Sequence, residues 1–374
     1  MKVLQISTHF LPNLGGIETH LGDLTKALVK RHWQVFVLAY RPLTTKTDWK
    51  IYEMEGNLKV LRIPWIPGFF YKLVQSPVLE FLYLVPGLFL ATPILLLLYN
   101  PEVINGHGLV AGFVSVFWGR LFGKKVVVST HSIYHFPKRG LYKQFVRWIF
   151  SKSDFVLGLS KQAVSEIKSL NPENSRVDNF TYWVDLNKFK VQSAKFKVKK
   201  QLGWDDKFVI LFVGRLVLEK GIKELLQAAG IWNKNIRLAI IGSGPLEGYL
   251  RSRFSRANIH FAGKIEQDKL PDFYNAADLL VVPSIHEEGF GRVILESLSC
   301  GLPVVGANRG AIPEAMDETV GKLIDITVQN IKNAVEYFYL HQDELRKLAK
   351  NCRNFAERRY SEKNVEKIIK AYLG

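Results

Sequence analysis

Cysteine is nearly absent: two residues, Cys300 and Cys352, in a chain of 374. Two thiols cannot build a disulfide framework, which points to a reducing compartment. No C-x-x-C, H-E-x-x-H or comparable cluster occurs, so no metal site is expected and both cysteines read as buried thiols. No helix-turn-helix, zinc-finger or RNP signature accompanies the basic residues, which argues against nucleic acid as a partner. The start, Met1-Lys2-Val3-Leu4-Gln5-Ile6, lacks the basic region, apolar run and cleavage site of a signal peptide and reads as a first buried strand. The turn that follows, His9-Phe10-Leu11-Pro12-Asn13-Leu14-Gly15-Gly16, is not G-x-G-x-x-G, which argues against a nicotinamide-dependent oxidoreductase. A D-x-D beside a strand is missing too, in keeping with chemistry that needs no metal. There is no solenoid-period repeat and no low-complexity tract.

What remains is a globular composition, 48% hydrophobic and 23% charged, long enough for two domains. Short runs of Val, Ile and Leu alternate with helical-period segments. One series runs from Val3–Ser7 to Arg176–Phe180, and a second from Phe208–Val213 to Pro303–Gly306. Such runs, too short for helices, imply parallel sheets covered on both faces, and two series imply two doubly wound, Rossmann-like domains facing across a cleft. The expected bounds are 1–190, 191–355 and a C-terminal segment 356–374 returning to the first domain. The basic stretch 188–200 is the expected linker.

The formal net charge is +17, and it is uneven. Residues 1–190 hold 23 Lys and Arg against 12 Asp and Glu, whereas residues 191–374 hold 28 against 22. The first half therefore attracts anions, and an anionic membrane surface is the favoured partner. Phe81–Tyr99 supplies 19 residues without a charge, long enough to span a bilayer but interrupted by Pro86, Gly87 and Pro93. The expectation is two shorter helices, partly core and partly membrane-facing. A spanning helix and a buried helix pair remain the alternatives. Trp65, Phe69, Phe70, Tyr71 and Lys72 nearby suit an interfacial belt.

The chemistry concentrates in Pro283-Ser284-Ile285-His286-Glu287-Glu288-Gly289-Phe290-Gly291-Arg292-Val293-Ile294-Leu295-Glu296. An apolar strand leads in, and the chain turns at Gly289 and Gly291, where backbone amides can approach a ligand. Glu288 stands before the following helix and Glu296 within it. One carboxylate can bind sugar hydroxyls while the other clamps a ribose diol. Gly15-Gly16 opens the first long helix and can present amides to an anion. Arg215 and Lys220 flank the turn after Phe208–Val213 and can neutralise a diphosphate.

This pattern resembles the E-x7-E signature of retaining GT-B glycosyltransferases, most closely glycosyltransferase family 4. Gly15-Gly16-Ile17-Glu18, Gly214-Arg215 with Lys220-Gly221, Gly242-Ser243-Gly244-Pro245-Leu246, Ala276-Ala277-Asp278, Gly301-Leu302-Pro303-Val304-Val305 and Gly310-Ala311-Ile312-Pro313-Glu314 match it in order. The resemblance implies that Gly15, Gly16, Gly214, Arg215, Lys220, Gly242, Gly244, Glu288, Gly289, Phe290, Gly291 and Glu296 hold the donor. It implies that His107 lies near the donor sugar and that His131, with His9 and Glu18, lines the acceptor side. His107, Glu288, Arg215 and Lys220 carry the expected catalytic roles, with front-face displacement and no glycosyl-enzyme. Two departures stand out: Asn105 where a histidine is common, and Tyr182-Trp183 where small turn residues are usual.

The activity implied is transfer of a hexose from a nucleoside diphosphate sugar, with retention and without a metal or other cofactor. The acceptor is expected to be a lipid or lipid-linked saccharide at the cytoplasmic face of the membrane. A cytosolic transferase with a soluble acceptor and a non-catalytic sugar-nucleotide-binding protein remain open.

Overall fold

The computed structural model describes residues 1–13, 15–74, 76–173, 175–191 and 195–374. The chain forms two compact units, residues 1–182 with 363–374, and residues 183–362. The expected linker 188–200 includes residues 192–194, which lie outside the described residues, and Lys195–Gln201 within it is helical.

Unit 1 is built on eight strands: β1 Lys2–Ser7, β2 Gln34–Tyr40, β3 Tyr52–Glu55, β4 Leu58–Ile63, β5 Val103–His107, β6 Lys125–Thr130, β7 Phe155–Gly158 and β8 Arg176–Asn179. Their order is β3-β4-β2-β1-β5-β6-β7-β8. Neighbours run parallel except β3, which pairs antiparallel to β4 across the Gly56-Asn57 turn. Its sequence, Tyr-Glu-Met-Glu, is mostly exposed and lacks an apolar run, so the sequence reading passed over it. Unit 2 has six parallel strands: β9 Phe208–Val213, β10 Ile236–Ile241, β11 Ile259–Gly263, β12 Leu279–Val282, β13 Val304–Ala307 and β14 Gly321–Ile324. Their order is β11-β10-β9-β12-β13-β14.

Each sheet reverses its winding once, between β1 and β5 and between β9 and β12. Ligands of open parallel sheets sit at the carboxyl ends of the strands flanking such a point. The ends of those four strands and the segments that follow them hold Gly15-Gly16, His107, Arg215-Lys220 and Ser284–Glu296. Topology alone therefore takes the sequence motifs to the two places where ligands are expected.

Residues 81–99 form part of a single 23-residue helix, Pro77–Tyr99, rather than two shorter ones. Pro86 and Pro93 each remove an N–H from its ladder, which would ordinarily break it. Neighbouring elements brace the helix around both prolines. Tyr40 on β2 donates its hydroxyl to the Leu84 carbonyl at 2.7 Å and accepts the Leu88 N–H at 3.2 Å. Gly87 admits that hydroxyl, since a Cβ there would meet the Tyr40 ring at 2.7 Å. The Trp118 indole donates to the Phe89 carbonyl at 2.9 Å, replacing the N–H that Pro93 lacks. Leu84, Leu88, Leu95 and Leu96 bury one face against the sheet. Val78, Leu82, Leu90, Ile94, Leu97 and Leu98 are more than half exposed on the helix surface. By length and composition this helix could cross a membrane.

The last helix, Val365–Leu373, belongs to unit 1, with Val365, Ile368, Ile369 and Tyr372 buried. Both cysteines are buried in unit 2, and burial pushes each thiol up to about 12.

Candidate functional site

In unit 2 the loops after β9, β10 and β12 touch backbone to backbone, and glycines make this possible. A Cβ on Gly242 (φ +135°) would overlap the Gly214 carbonyl, and one on Gly244 would meet the Leu216 backbone within 3 Å. Gly214 N–H bonds the Ile241 carbonyl, and Leu216 N–H bonds that of Ser243, both at 3.0 Å. Gly221 (φ +63°) presses on Pro283 in the same way, which sets Lys220 against the loop after β12. Gly310 (φ +58°) packs on the backbone of Glu287 and Glu288, and Ala311 N–H bonds the Glu288 carbonyl at 3.0 Å. Glycine at these positions fixes where the functional side chains start.

Lys220 pairs directly with the Glu288 carboxylate, which also accepts the Ser284 hydroxyl at 2.6 Å. Burial alone would raise the Glu288 carboxyl. The Lys220 ammonium, the Ser284 bond and the charge of His286 outweigh it and hold the group below the usual carboxylate value. Arg215 is exposed and has no ion-pair partner among the described residues. One fixed cation and one available cation thus stand at the switch point of this sheet. Gly291 (φ +76°) begins helix Arg292–Ser299, and Glu296 on that helix is buried. Its carboxylate takes the Tyr274 hydroxyl at 2.8 Å and Arg292 Nε at 3.3 Å. Phe290 is buried edge-on to Tyr360, with ring centres 6.0 Å apart, so its ring serves packing. Gly289 is half-buried beside it.

In unit 1, Glu18 folds back over the loop that opens the first helix. Its carboxylate occupies the space that a Cβ on Gly15 would need, and it accepts Asn13 Nδ2 at 2.6 Å. A Cβ on Gly16 would meet nothing within 4 Å. His9 is half-buried, with Nδ1 2.8 Å from the Thr8 hydroxyl. The loop is pinned from behind by Arg62 on β4, buried to 2%, which donates from Nε and Nη2 to the Leu11 carbonyl at 3.0 and 2.6 Å.

His107 and His131 end adjacent strands and form one buried chain of hydrogen bonds. Gln5 Oε1 lies 2.8 Å from His107 Nε2, His107 Nδ1 lies 2.9 Å from His131 Nε2, and His131 Nδ1 lies 2.9 Å from the Tyr182 hydroxyl. Gln5 Nε2 and Asn105 Nδ2 both donate to the Tyr372 hydroxyl, at 3.0 and 2.7 Å. With Gln5 oriented so, a neutral His107 donates from Nε2 and accepts at Nδ1 from His131, whose Nδ1 then accepts from Tyr182. Burial drives both imidazoles down, His131 to about 3 and His107 well below its ordinary value, with the His131 charge adding to the latter. Both ring nitrogens of His107 are occupied. The chain turns directly after it at Gly108 (φ +85°), which begins helix Gly108–Leu121.

Sequence reasoning missed Gln5, Arg62 and Tyr372. A glutamine inside Val3-Leu4-Gln5-Ile6 was the available signal, since a polar side chain on a strand buried on both faces must find partners. Of the departures from the family pattern, Tyr182 bonds His131, and Asn105 bonds the Tyr372 hydroxyl that Gln5 also reaches. Among the described residues no group of three or more His, Cys, Asp and Glu could hold a metal.

The chain matches two family models: Glycosyltransferase Family 4 over residues 14–186 and Glycosyl transferases group 1 over residues 194–359. It is 25% identical over 355 residues to the GDP-mannose-dependent alpha-(1-6)-phosphatidylinositol monomannoside mannosyltransferase of Mycolicibacterium smegmatis, covering 89% of this chain and 88% of that protein. Sucrose-phosphate synthase from Thermosynechococcus elongatus has the same fold, with a TM-score of 0.83, 21% identity and coverage of 99% of this chain and 98% of that one. Anabaena HepE, solved in complex with UDP-glucose, superposes with a TM-score of 0.76 at 20% identity, covering 100% and 99% of the two chains. The chain belongs to glycosyltransferase family 4, the retaining, nucleotide-sugar-dependent transferases of the GT-B fold.

Proposed function

We propose that the chain transfers a hexose from a nucleoside diphosphate sugar to a lipid or lipid-linked acceptor at the cytoplasmic face of an anionic membrane. For the donor, the supporting observation is the Arg215–Lys220–Glu288 group at the β9/β12 switch point. Arg215 and Lys220 neutralise the diphosphate as the bond to the sugar breaks, the main stabilisation such a reaction requires. Gly15 and Gly16 offer amides to an anion. Glu288 orients sugar hydroxyls, and Glu296 takes the ribose diol while Tyr274 and Arg292 hold it in place. Gly214, Gly242, Gly244, Gly289 and Gly291 shape the backbone around the donor, and Phe290 packs beneath it. His107 acts through its backbone carbonyl, which places partial negative charge near the developing oxocarbenium ion. None of these roles needs a metal. His131, His9 and Glu18 belong to the acceptor side. In this reading residues 1–190 bind the acceptor, 191–355 the donor, and 356–374 complete the first domain.

For the acceptor, the supporting observation is the uncovered apolar side of helix 77–99 in the half of the chain with the larger positive excess. The mycobacterial relative is named for a phosphatidylinositol mannoside acceptor, which agrees. The test has two stages. Thermal shift with UDP-, GDP- and ADP-sugars selects the donor, because a ligand of the folded state raises stability by mass action. The labelled donor is then incubated with the protein and a membrane extract. Label entering the organic phase supports the proposal. Label transferred only to water-soluble products assigns a soluble acceptor. Donor binding without transfer to any fraction makes the chain a sugar-nucleotide-binding protein.

A further inference from the structure

The apolar surface of helix 77–99 continues beyond that helix. Phe89 lies 4.9 Å from Phe117 of helix Gly108–Leu121, and Phe113 of that helix lies 6.1 Å from Trp148 of helix Leu141–Ser151. These ring contacts join the three helices into one face. Between the second and third runs a groove of about 430 Å³, lined by Val116, Phe117, Arg120, Trp148, Ser151 and Lys152. Phe117 and Trp148 are 41% and 39% exposed, and Leu121 near the groove is 67% exposed.

The floor of this groove is aromatic and its rim is cationic. Lys152 is exposed and has no ion-pair partner among the described residues. Arg120 holds the Lys152 carbonyl at 2.6 Å and Asp154 at 3.0 Å. Across residues 64–155 there are nine Lys and Arg against three Asp and Glu. The one charged side chain on helix 77–99, Glu80, is half-buried, and burial pushes its carboxyl above the ordinary value. A free phosphate would use the rim and leave the aromatic floor uncovered. An amphiphile with an acyl chain and an anionic head uses both, and half-exposed Trp beside Lys and Arg is the side-chain set that settles at a lipid–water boundary.

We infer that this groove seats an anionic phospholipid of the bilayer. The acyl chain lies along Phe117 and Trp148, the phosphate lies at Lys152 with Arg120, and helix 77–99 rests flat in the same interface. The inference rests on the membrane reading above and goes further, because the seat is distinct from the acceptor site. Helices 108–121 and 141–151 run back from the carboxyl edge of the sheet, so their final turns, which form the groove, lie at its amino edge. His107 and His131 stand at the opposite edge. The bound lipid is thus an anchor that the reaction does not consume.

The experiment uses the full chain with phosphatidylcholine–phosphatidylglycerol vesicles, with and without bromine on the phosphatidylglycerol acyl chains. Bromine quenches indole fluorescence on contact. Brominated vesicles should quench the wild type, and Trp148→Phe should abolish a distinct share of that quenching while still binding. Lys152→Gln, an exposed substitution that leaves the fold intact, should weaken binding about fivefold, the size expected for one lysine at an anionic surface. Binding with the same quenching in Trp148→Phe and the same affinity in Lys152→Gln overturns the lipid seat but leaves the membrane reading standing. No binding to anionic vesicles at low salt overturns both. Self-association that Phe117→Asp abolishes, without vesicle binding, gives the face to a second copy of the chain and overturns the inference as well.

Discussion

The paired imidazoles of His107 and His131 should make the fold acid-sensitive in a way that can be assigned to them. Both are neutral in the folded protein because burial disfavours their charged forms. In the unfolded chain each takes a proton near its ordinary value of 6.5. Below that pH the unfolded state binds more protons than the folded one, so stability falls as pH falls. The stabilisation is complete above 6.5 and for His131 is lost between 6.5 and about 3. For His131 the slope approaches about 1.4 kcal/mol per pH unit, which removes about 2 kcal/mol by about pH 5. His107, driven down by the same burial, adds to the loss in the same direction, and about 2 kcal/mol is already a substantial part of the 5–15 kcal/mol typical of folded proteins. Urea unfolding at neutral and acid pH measures this, with the m-value checked for constancy. His131→Gln keeps an amide able to bond Tyr182 and His107 but cannot titrate. Its stability should fall by about 2 kcal/mol less than wild type between neutral pH and about pH 5. Carboxylates contribute equally to both proteins and drop out of the difference. Equal pH dependence in the two would show that His131 is not held neutral by the fold, and the argument from the buried chain would fail.

Three further outcomes follow from geometry. Arg215→Ala or Lys220→Ala should slow transfer by roughly a hundredfold or more, the loss expected for one preorganised charge donor, and near-normal turnover in both would remove them from the diphosphate. Glu296→Gln should weaken binding of the free nucleoside diphosphate while Glu288→Gln leaves it nearly unchanged; equal losses by calorimetric titration would contradict the separate roles. Tyr40→Phe removes the hydroxyl that bonds the Leu84 carbonyl and the Leu88 N–H and should cost about 1 kcal/mol by urea denaturation, whereas no measurable change would mean that the two groups, four residues apart on one helix, close the rung with each other.

The motifs and the fold class were legible in the sequence because they rest on local signals. Ile222–Ala229 and Arg292–Ser299 announce themselves by helical period, and the glycines of the loops by their need for close backbone approach. What escaped notice depends on distant partners. Pro86 and Pro93 predict a broken helix when only residues 77–99 are considered, and Tyr40 and Trp118 that brace it lie on other elements. β14, Gly-Lys-Leu-Ile, is a strand because Val304–Ala307 pairs with it, not because its own sequence insists. The sequence places His107 at a strand end, but not the partners Gln5 and His131 that occupy its two ring nitrogens. Tyr372 could not be connected to Gln5 by any pattern, since 367 residues separate them.

That separation has a consequence for biosynthesis. Residues 183–362 are an insertion between two pieces of one folding unit, and residues 363–374 leave the ribosome only after the whole insertion has been made. Until then the buried donors of Gln5 and Asn105 lack the Tyr372 hydroxyl, and the first unit lacks the helix that buries Val365, Ile368 and Tyr372 in it. The second unit can fold while the first waits, and folding of the insertion restrains the two ends that must meet, which lowers the entropy of closing so long a loop. Synthesis order therefore sets assembly order: the later-made unit is finished first, and the histidine chain is locked last.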